Sequence, residues 1–506
     1  MSKDLPNGWV LAKLEELIEE GPRNGYSPKG GADAQGSATL KLSATTQGEM
    51  ILNEATTKRV YEEVPGDSQY WLEPGDLLIQ RANSLAYLGA AAIYEGEPKR
   101  YIYPDLMMRV RTGDQSLRQY LWRFLNTHEC RSYFKSNATG TAGNMPKING
   151  KIVKATPVPL PPTNEQRRIV AKIEELTARS RNAKQALDAI PPLLERFRQS
   201  VLAAAFRGDL TKQWRQQNPN TEPASELLNR IRQDRRHRWE QDYLQTQKAK
   251  GKQPKNDKWK AKYKEPEPVD TTDLPELPEV WCWAAAEELC FKTITAGNTP
   301  SRNLMSSHGE VPFIKVYNLT KDGSLDFTKD PTFVSQTTHR EKLTRSILYP
   351  GDVLMNIVGP PLGKVSLVPD TFPEWNMNQA IVVFRPMEFY SKEVLCYALL
   401  TERIHSWAKG QSKATAGQFN VRTTACRRIP IPIMSEAEQS VIAEALQNHL
   451  ARIDLIESAV LSNCALQERL DQSILAKAFR GELILQDPTD EPASALLERV
   501  RTESQS

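Results

Sequence analysis

Cysteine and histidine are scarce in this chain. Six cysteines occur in 506 residues, Cys130, Cys282, Cys290, Cys396, Cys426 and Cys464, with no CxxC pair and no histidine at zinc-ligand spacing. That pattern excludes a disulfide-stapled scaffold and speaks against a structural metal. None of the six histidines, His128, His237, His308, His339, His405 and His449, sits in a metal-binding pair. No apolar run approaches the roughly 18 residues a membrane-crossing helix needs. The opening "MSKDLPNGWVLAKLEELIEE" puts acids where a signal peptide needs an apolar core, so a cytoplasmic protein is expected. P-loop and GxSxG strings are missing, and so are the glycine-rich turn and Asn/Asp-Pro-Pro-aromatic motif of an amino-methylase. The nearest string, "NPN" at Asn218, lacks the second proline and the aromatic. A nuclease core of clustered acids and a lysine finds no support in the spacing.

What the chain has instead is itself, twice. "SVLAAAFRGDL" from Ser200 returns as "SILAKAFRGEL" from Ser473, and "PVPLPPTNEQRRIVAKI" from Pro157 returns as "PIPIMSEAEQSVIAEAL" from Pro430. Both are displaced by 273 residues, whereas "TEPASELLNRIR" from Thr221 returns 269 residues later as "DEPASALLERVR". Fainter echoes pair "LPNGW" with "LPEVW", "LEPGDLLI" with "LYPGDVLM", and the "TAG" at Thr141 with that at Thr415. Such self-similarity sets the architecture before any local reading does.

Each half is a variable body followed by a helical tail. The bodies carry short β-type runs, "TLKLSAT", "GDLLIQ" and "DLMMRVRT" in the first and "VPFIKVYN", "GDVLMNIVG" and "NQAIVVFRP" in the second, with helical windows after them. The tails carry heptads. Ile173, Leu187, Leu194 and Val201 share one position with Leu446, Ile453, Val460 and Ile474, while Leu176, Ile190, Phe197, Ile456 and Leu470 form a second stripe. Thr163 or Asn164, and Ser435, stand where N-caps belong; Gly208 and Gly481 are stop signals. Each rod would be roughly 60 Å long at 1.5 Å per residue. Pro191-Pro192 breaks or kinks the first rod, whereas Asn463-Cys464 stands at the same place in the second.

The expected fold is therefore α+β: two bodies of mixed strands and helices, separated by two long helices that pack as an antiparallel coiled-coil spacer, in a circular pseudo-twofold repeat. The expected segments are 1–156 (first body), 157–210 (first helical spacer), 211–273 (basic connection with a short helix), 274–429 (second body), 430–485 (second spacer) and 486–506 (C-terminal short helix). Net charge is only +4, but Arg230 to Lys264 concentrates basic residues among Trp239, Tyr243, Trp259 and Tyr263. That composition suits either a phosphate backbone or a solvated linker. The "PGD" turns ending in Asp76 and Asp352 read as structural. Loops such as "RANSLAYLG", "SNATGTAGNMPKING", "NIVGPPLGK" and "GQSKATAGQFNVR" hold the side-chain types that read base edges and hold phosphates.

The strings "EQRRIVAKIEEL", "AFRGDLT", "EQSVIAEAL" and "AFRGEL" resemble regions shared by specificity (S) subunits of type I restriction-modification systems, and the paired bodies resemble their two target-recognition domains. The resemblance implies a non-catalytic subunit that binds a bipartite double-stranded DNA target, one half-site per body. It implies docking of two adenine-methylating M subunits carrying S-adenosylmethionine, and of R subunits using ATP and Mg, with no cofactor on this chain and no membrane. It places first half-site contacts at Lys41, Ser43, Thr45, Arg81, Asn83, Ser84, Tyr87, Asn137, Thr139, Asn144 and Lys147. Second half-site contacts fall at Lys315, Tyr317, Asn318, Asn356, Lys364, Lys413, Thr415, Gln418 and Asn420. Two other classes stay open on the residues alone: a helical scaffold unrelated to DNA, and the specificity portion of a fused methyltransferase.

Overall fold

The computed structural model describes residues 5–31, 33–140, 145–252, 254, 256–359, 361–415 and 418–503. The chain divides into two compact units: Met1–Ala189 with Val460–Ser506 (unit 1), and Ile190–Ala459 (unit 2). Bodies and tails are thus not separate domains; each unit joins one body to pieces of the helical tails. Those helices are α1 Thr163–Asp188, α2 Ile190–Phe206, α3 Ala224–Ala249, α4 Glu436–Ala478 and α5 Ala493–Glu503.

The interruption at Ala189 follows from Pro191-Pro192, since proline in a helix interior removes a donor and clashes with the preceding turn. In the first turn of α2 both prolines are tolerated. With no proline there, α4 runs unbroken for 43 residues. Its start is capped as expected, the Glu438 N–H donating to Ser435 Oγ at 3.2 Å. The first copy differs: Pro162 holds the position equivalent to Ser435, α1 begins at Thr163 itself, and no side chain caps it. Both tails stop on left-handed glycines, Gly208 at φ +83° and Gly481 at φ +74°. The following N–H, of Asp209 or Glu482, reaches back to the Ala204 or Lys477 carbonyl, 2.9 Å in each case.

The Pro-rich segments expected to open the helical spacers are strands. In unit 1, β1 (Val10–Lys13) pairs antiparallel with β3 (Pro157–Leu160), Val10 opposite Leu160. In unit 2, β4 (Cys282–Ala285) pairs with β10 (Pro430–Ile433), Cys282 opposite Ile433. A buried tryptophan locks each joint to the following helix: Trp9 Nε1 donates to Glu165 Oε2 at 3.0 Å, and Trp281 Nε1 to Glu438 Oε2 at 2.8 Å.

Each body centres on a four-stranded antiparallel sheet of the same order. In unit 1 it runs Glu20–Asn24, Met107–Arg111, β2 (Leu77–Gln80), Ala91–Ile93. In unit 2 it runs Thr295–Ala296, β7 (Ile381–Phe384), β5 (Val353–Asn356), Val365–Leu367. β5 is entered through a turn held by Asp352, buried and paired with Arg385 at 2.5 Å. Asp76 does the same before β2, binding Arg111 at 2.6 Å, so both "PGD" carboxylates are structural. A pair of helices follows the sheet in each body, Gln115–Leu125 with His128–Ser136, and Lys392–Leu399 with Glu402–Gly410.

The tails enter these cores. Ile169, Ile173, Ile474, Ala478 and Phe479 are buried in the core of unit 1, and Val201, Ala205, Phe206, Ile442 and Leu446 in that of unit 2. The first heptad stripe is the buried one. Gln467 and Ser180 replace an apolar pair in unit 1 and bond to each other, Nε2 to Oγ at 3.1 Å. In unit 2 Leu194 packs with Leu450 and Ile453. The second stripe is left largely outside: Phe197, Ile456 and Leu470 are about half exposed. Residues 211–273 hold the short helix Lys212–Gln217 and, beyond it, the 26-residue α3. The N–H of Ala224 at its start donates to Val280 O at 2.9 Å, and the N–H of Ala493 at the start of α5 donates to Gly8 O at 2.9 Å, the equivalent bond in unit 1.

Candidate nucleic-acid interface

In both units three polar loops converge where the central strand ends. In unit 1 the chain leaves β2 at Arg81, whose carbonyl accepts the Ile148 N–H at 2.8 Å. Thr139 and Lys147 exchange backbone bonds of 2.9 Å, closing a hairpin-like loop, and Ala82 bridges to Lys147. Gln80, buried at the end of β2, donates through Nε2 to Leu42 O and Thr45 Oγ1, both at 2.8 Å. It also accepts from Asn83 Nδ2 at 2.7 Å. One amide thus ties the 41–46 loop to the 81–87 loop.

Unit 2 repeats the plan. The Val421 N–H donates to Ile357 O at 2.9 Å, the counterpart of Ile148 on Arg81. Here the hairpin is regular: β8 (Lys413–Thr415) pairs with β9 (Gln418–Asn420), which adds to β6 (Val358–Gly359) just beyond β5. Asn356 stands where unit 1 has Gln80. It accepts the Lys364 N–H at 2.8 Å and donates to Pro361 O at 2.8 Å and Val358 O at 3.2 Å. Lys364 Nζ reaches Val316 O at 3.5 Å, linking the third loop. Burial, with Lys329 and Lys321 nearby, holds the Lys364 ammonium below its ordinary pKa. An anionic group placed beside Lys364 would favour its charged form.

Exposure sorts the expected contacts. In unit 1, Ser43, Ser84, Tyr87, Asn137, Thr139 and Lys147 are exposed, and Lys41, Arg81 and Asn83 are partly so. In unit 2, Asn420 is exposed, while Lys315, Tyr317 and Lys364 are partly so. Lys413, Thr415 and Gln418 are placed as strand residues by their backbones. Asn144 lies outside the described residues. Three expectations change. Thr45, Asn318 and Asn356 are buried, with side chains spent on Gln80, on the Lys315 N–H and on the loop after β5, so they shape loops rather than face a ligand. Tyr317 donates its hydroxyl to Asp330 at 2.6 Å. Sequence reasoning passed over Gln80, and also the loop side chains Leu85 and Met145, each about 45% exposed. Their signal was an apolar residue inside an otherwise polar loop. Apolar and aromatic tips of this kind can press against bases or wedge a base step. Among the described residues no cluster of three or more His, Cys, Asp or Glu is placed to hold a metal ion, and no helix is long and apolar enough to cross a membrane.

The chain is similar to known proteins over most of its length. The family described as type I restriction modification DNA specificity domain matches residues 6–191 and 286–462, one match per body. The type I restriction enzyme EcoKI specificity subunit of Escherichia coli K12 is 31% identical over 238 residues, covering 46% of this chain and 50% of that protein. The EcoBI specificity subunit of Escherichia coli is 27% identical over 447 residues, covering 86% of this chain and 81% of the relative. Among solved structures, a chain from work on complex assembly and conformational transition of the type I R-M system superposes with a TM-score of 0.65 at 19% identity, covering 95% of this chain and all of that one. The HsdS subunit from Thermoanaerobacter tengcongensis gives 0.50 at 18% identity, covering 95% and 98% of the two chains. With two recognition domains, a helical spacer and a family match over both halves, the chain belongs to the DNA specificity subunits of type I restriction-modification systems.

Proposed function

We propose that each unit reads one half of a bipartite double-stranded DNA target through its hairpin and the loop at the end of its central strand. The observation that carries this is the same backbone clamp built twice, Ile148 on Arg81 and Val421 on Ile357. Each clamp holds a loop cluster of exposed or half-exposed Arg, Lys, Asn, Ser and Tyr at one sheet end, the chemistry that reads base edges and phosphates. In this reading the chain performs no catalysis. It docks M subunits, which supply S-adenosylmethionine-dependent adenine methylation, and through them R subunits with ATP and Mg, in the cytoplasm. Exposed apolar side chains on the spacer helices of unit 2 support docking of a helical partner: Leu455, Phe197 and Ile456 are 71%, 51% and 47% exposed. Such apolar patches on a polar chain mark interaction surfaces.

The test is to map methylated adenines by long-read sequencing in cells carrying the chain and its partner subunits. A two-part motif is expected. Exchanging residues 1–156 for the first body of another family member should then change one half of the motif and leave the other. A change in both halves, or methylation that does not depend on this chain, defeats the proposal.

A further inference from the structure

The basic segment between the halves is a built arm. Residues 241–264 carry eight lysines against two aspartates, an excess larger than the net charge of +4 on the whole chain. The aromatics interleaved with them are not free to stack on a ligand. Tyr243 and Trp259 lie face to face at 5.0 Å and 1°, Trp239 stands 5.4 Å from Tyr243 and 5.3 Å from Tyr263, and together they pin the short 3-10 stretch Asp257–Lys262 against α3. Arg235 donates to the Tyr263 hydroxyl at 2.9 Å and Lys262 to that of Tyr243 at 3.0 Å. A solvated linker would gain nothing from four rings spent on its own rigidity.

The cations divide sharply along this arm. At its root Arg230, Arg232, Arg235, Arg236 and Arg238 all pair with carboxylates. Beyond it Lys248, Lys250, Lys252, Lys258 and Lys264 are exposed and, among the described residues, make no ion pair. The root packs at Cys290 and Glu388, next to the Phe384 end of β7, whereas the hairpin sits at the Asn356–Ile381 end of the same sheet. The two ends are separated by about 10 Å of strand, roughly three base-pair rises.

We propose that this arm is a sequence-independent grip on the duplex phosphate backbone flanking the half-site read by unit 2; the inference rests on the DNA-reading function above. Lysines are mobile point charges that suit a dense line of phosphates without directed geometry. A protein partner would need apolar or aromatic anchors, but the rings are committed internally and Leu244 is the one large apolar side chain among the described residues of the arm that is exposed.

The experiment compares the full chain, purified with its partner subunits, against K248Q/K250Q/K252Q/K258Q/K264Q and the same five positions changed to Arg. Binding to a random-sequence duplex of about 40 base pairs is followed by fluorescence anisotropy from 50 to 300 mM salt, each lost phosphate contact flattening the log–log slope by roughly 0.9. The Gln variant should lose about 2 or more from the slope, the Arg variant should keep it, and the methylation motif should be unchanged in both. An unaltered slope in the Gln variant overturns the proposal, also if that variant instead fails to assemble with its partners. If the unmodified complex shows no salt-dependent DNA binding, it is the DNA-reading function itself that falls.

Discussion

The two tryptophan–glutamate joints share a strand register and a hydrogen bond, yet they surround the carboxylate differently. In unit 2, Glu438 accepts from Trp281, from Thr211 Oγ1 at 2.6 Å and from Arg215 at 2.5 Å. In unit 1, Glu165 accepts from Trp9, but its other oxygen is buried without a partner among the described residues, and the nearby Arg168 turns to Asp490 at 2.6 Å. The position of Thr211 is taken in the second tail by Ile484. Burial accordingly raises the Glu165 carboxyl above its ordinary pKa, against the lowering effect of Trp9 and Arg168. A duplicated motif can thus hold its geometry while one copy gains a paired cation and the other is dominated by desolvation.

The strongest way to test that contrast is to remove the charge from each joint. Glu438→Gln leaves the Arg215 guanidinium without its carboxylate and should destabilise unit 2 by about 2–3 kcal/mol. Glu165→Gln removes a charge that has no ion-pair partner and should cost unit 1 less than about 1 kcal/mol. Hydrogen exchange on peptides covering β4 and β10 in one variant, and β1 and β3 in the other, reads the two units separately. Equal losses would mean that Arg215 adds nothing to the joint.

A smaller contrast lies at the helix starts. Ser435→Ala deletes a side-chain cap and should cost about 1 kcal/mol, whereas Thr163→Ala, at a position that caps nothing, should cost a few tenths. Exchange rates in the first turns of α4 and α1 distinguish them. A Thr163 effect as large as that of Ser435 would relocate the cap.

The smallest effect is one of sign. The folded-state pKa of Glu165 lies above its unfolded value of about 4.5. The stability tied to its neutral form is therefore fully present below about pH 4.5 and lost as pH rises through the folded pKa. Relative to Glu165→Gln, the native chain should lose stability over that interval, opposite to the trend of a paired carboxylate. Urea midpoints at a series of pH values from 4 to 7 measure it, and a difference that grows with pH would show that Trp9 outweighs desolvation.

The duplication, the sheet-then-helix bodies, the glycine stops and the proline break were all legible because each rests on backbone chemistry that local residue types dictate. The loop chemistry was legible only as a location. Asn356 and Asn420 look alike in a string of polar residues, but one is folded into its own turn and the other is exposed, and that depends on which carbonyls the tertiary fold brings near. Gln80 escaped notice for the complementary reason, since it closes an apolar strand and reads as its last polar residue. The length of α3 was hidden by its polarity. Its first turns bury Ala224, Leu227, Leu228 and Ile231 in the core of unit 2, and beyond them it is sustained by spaced charge pairs such as Arg236–Glu240 and Asp234–Arg238 and by the ring stack.

The clamps at Arg81 and Ile357 are made by main-chain atoms alone. Beside these bonds Ile148 and Val421 are buried in the cores of their own units, so the exposed residues along the hairpin and the facing loop can be exchanged without loosening the attachment that positions them. A protein whose reading elements are fastened this way can acquire a new target by substitutions that leave its folding free energy nearly untouched, and its specificity and its stability can change independently.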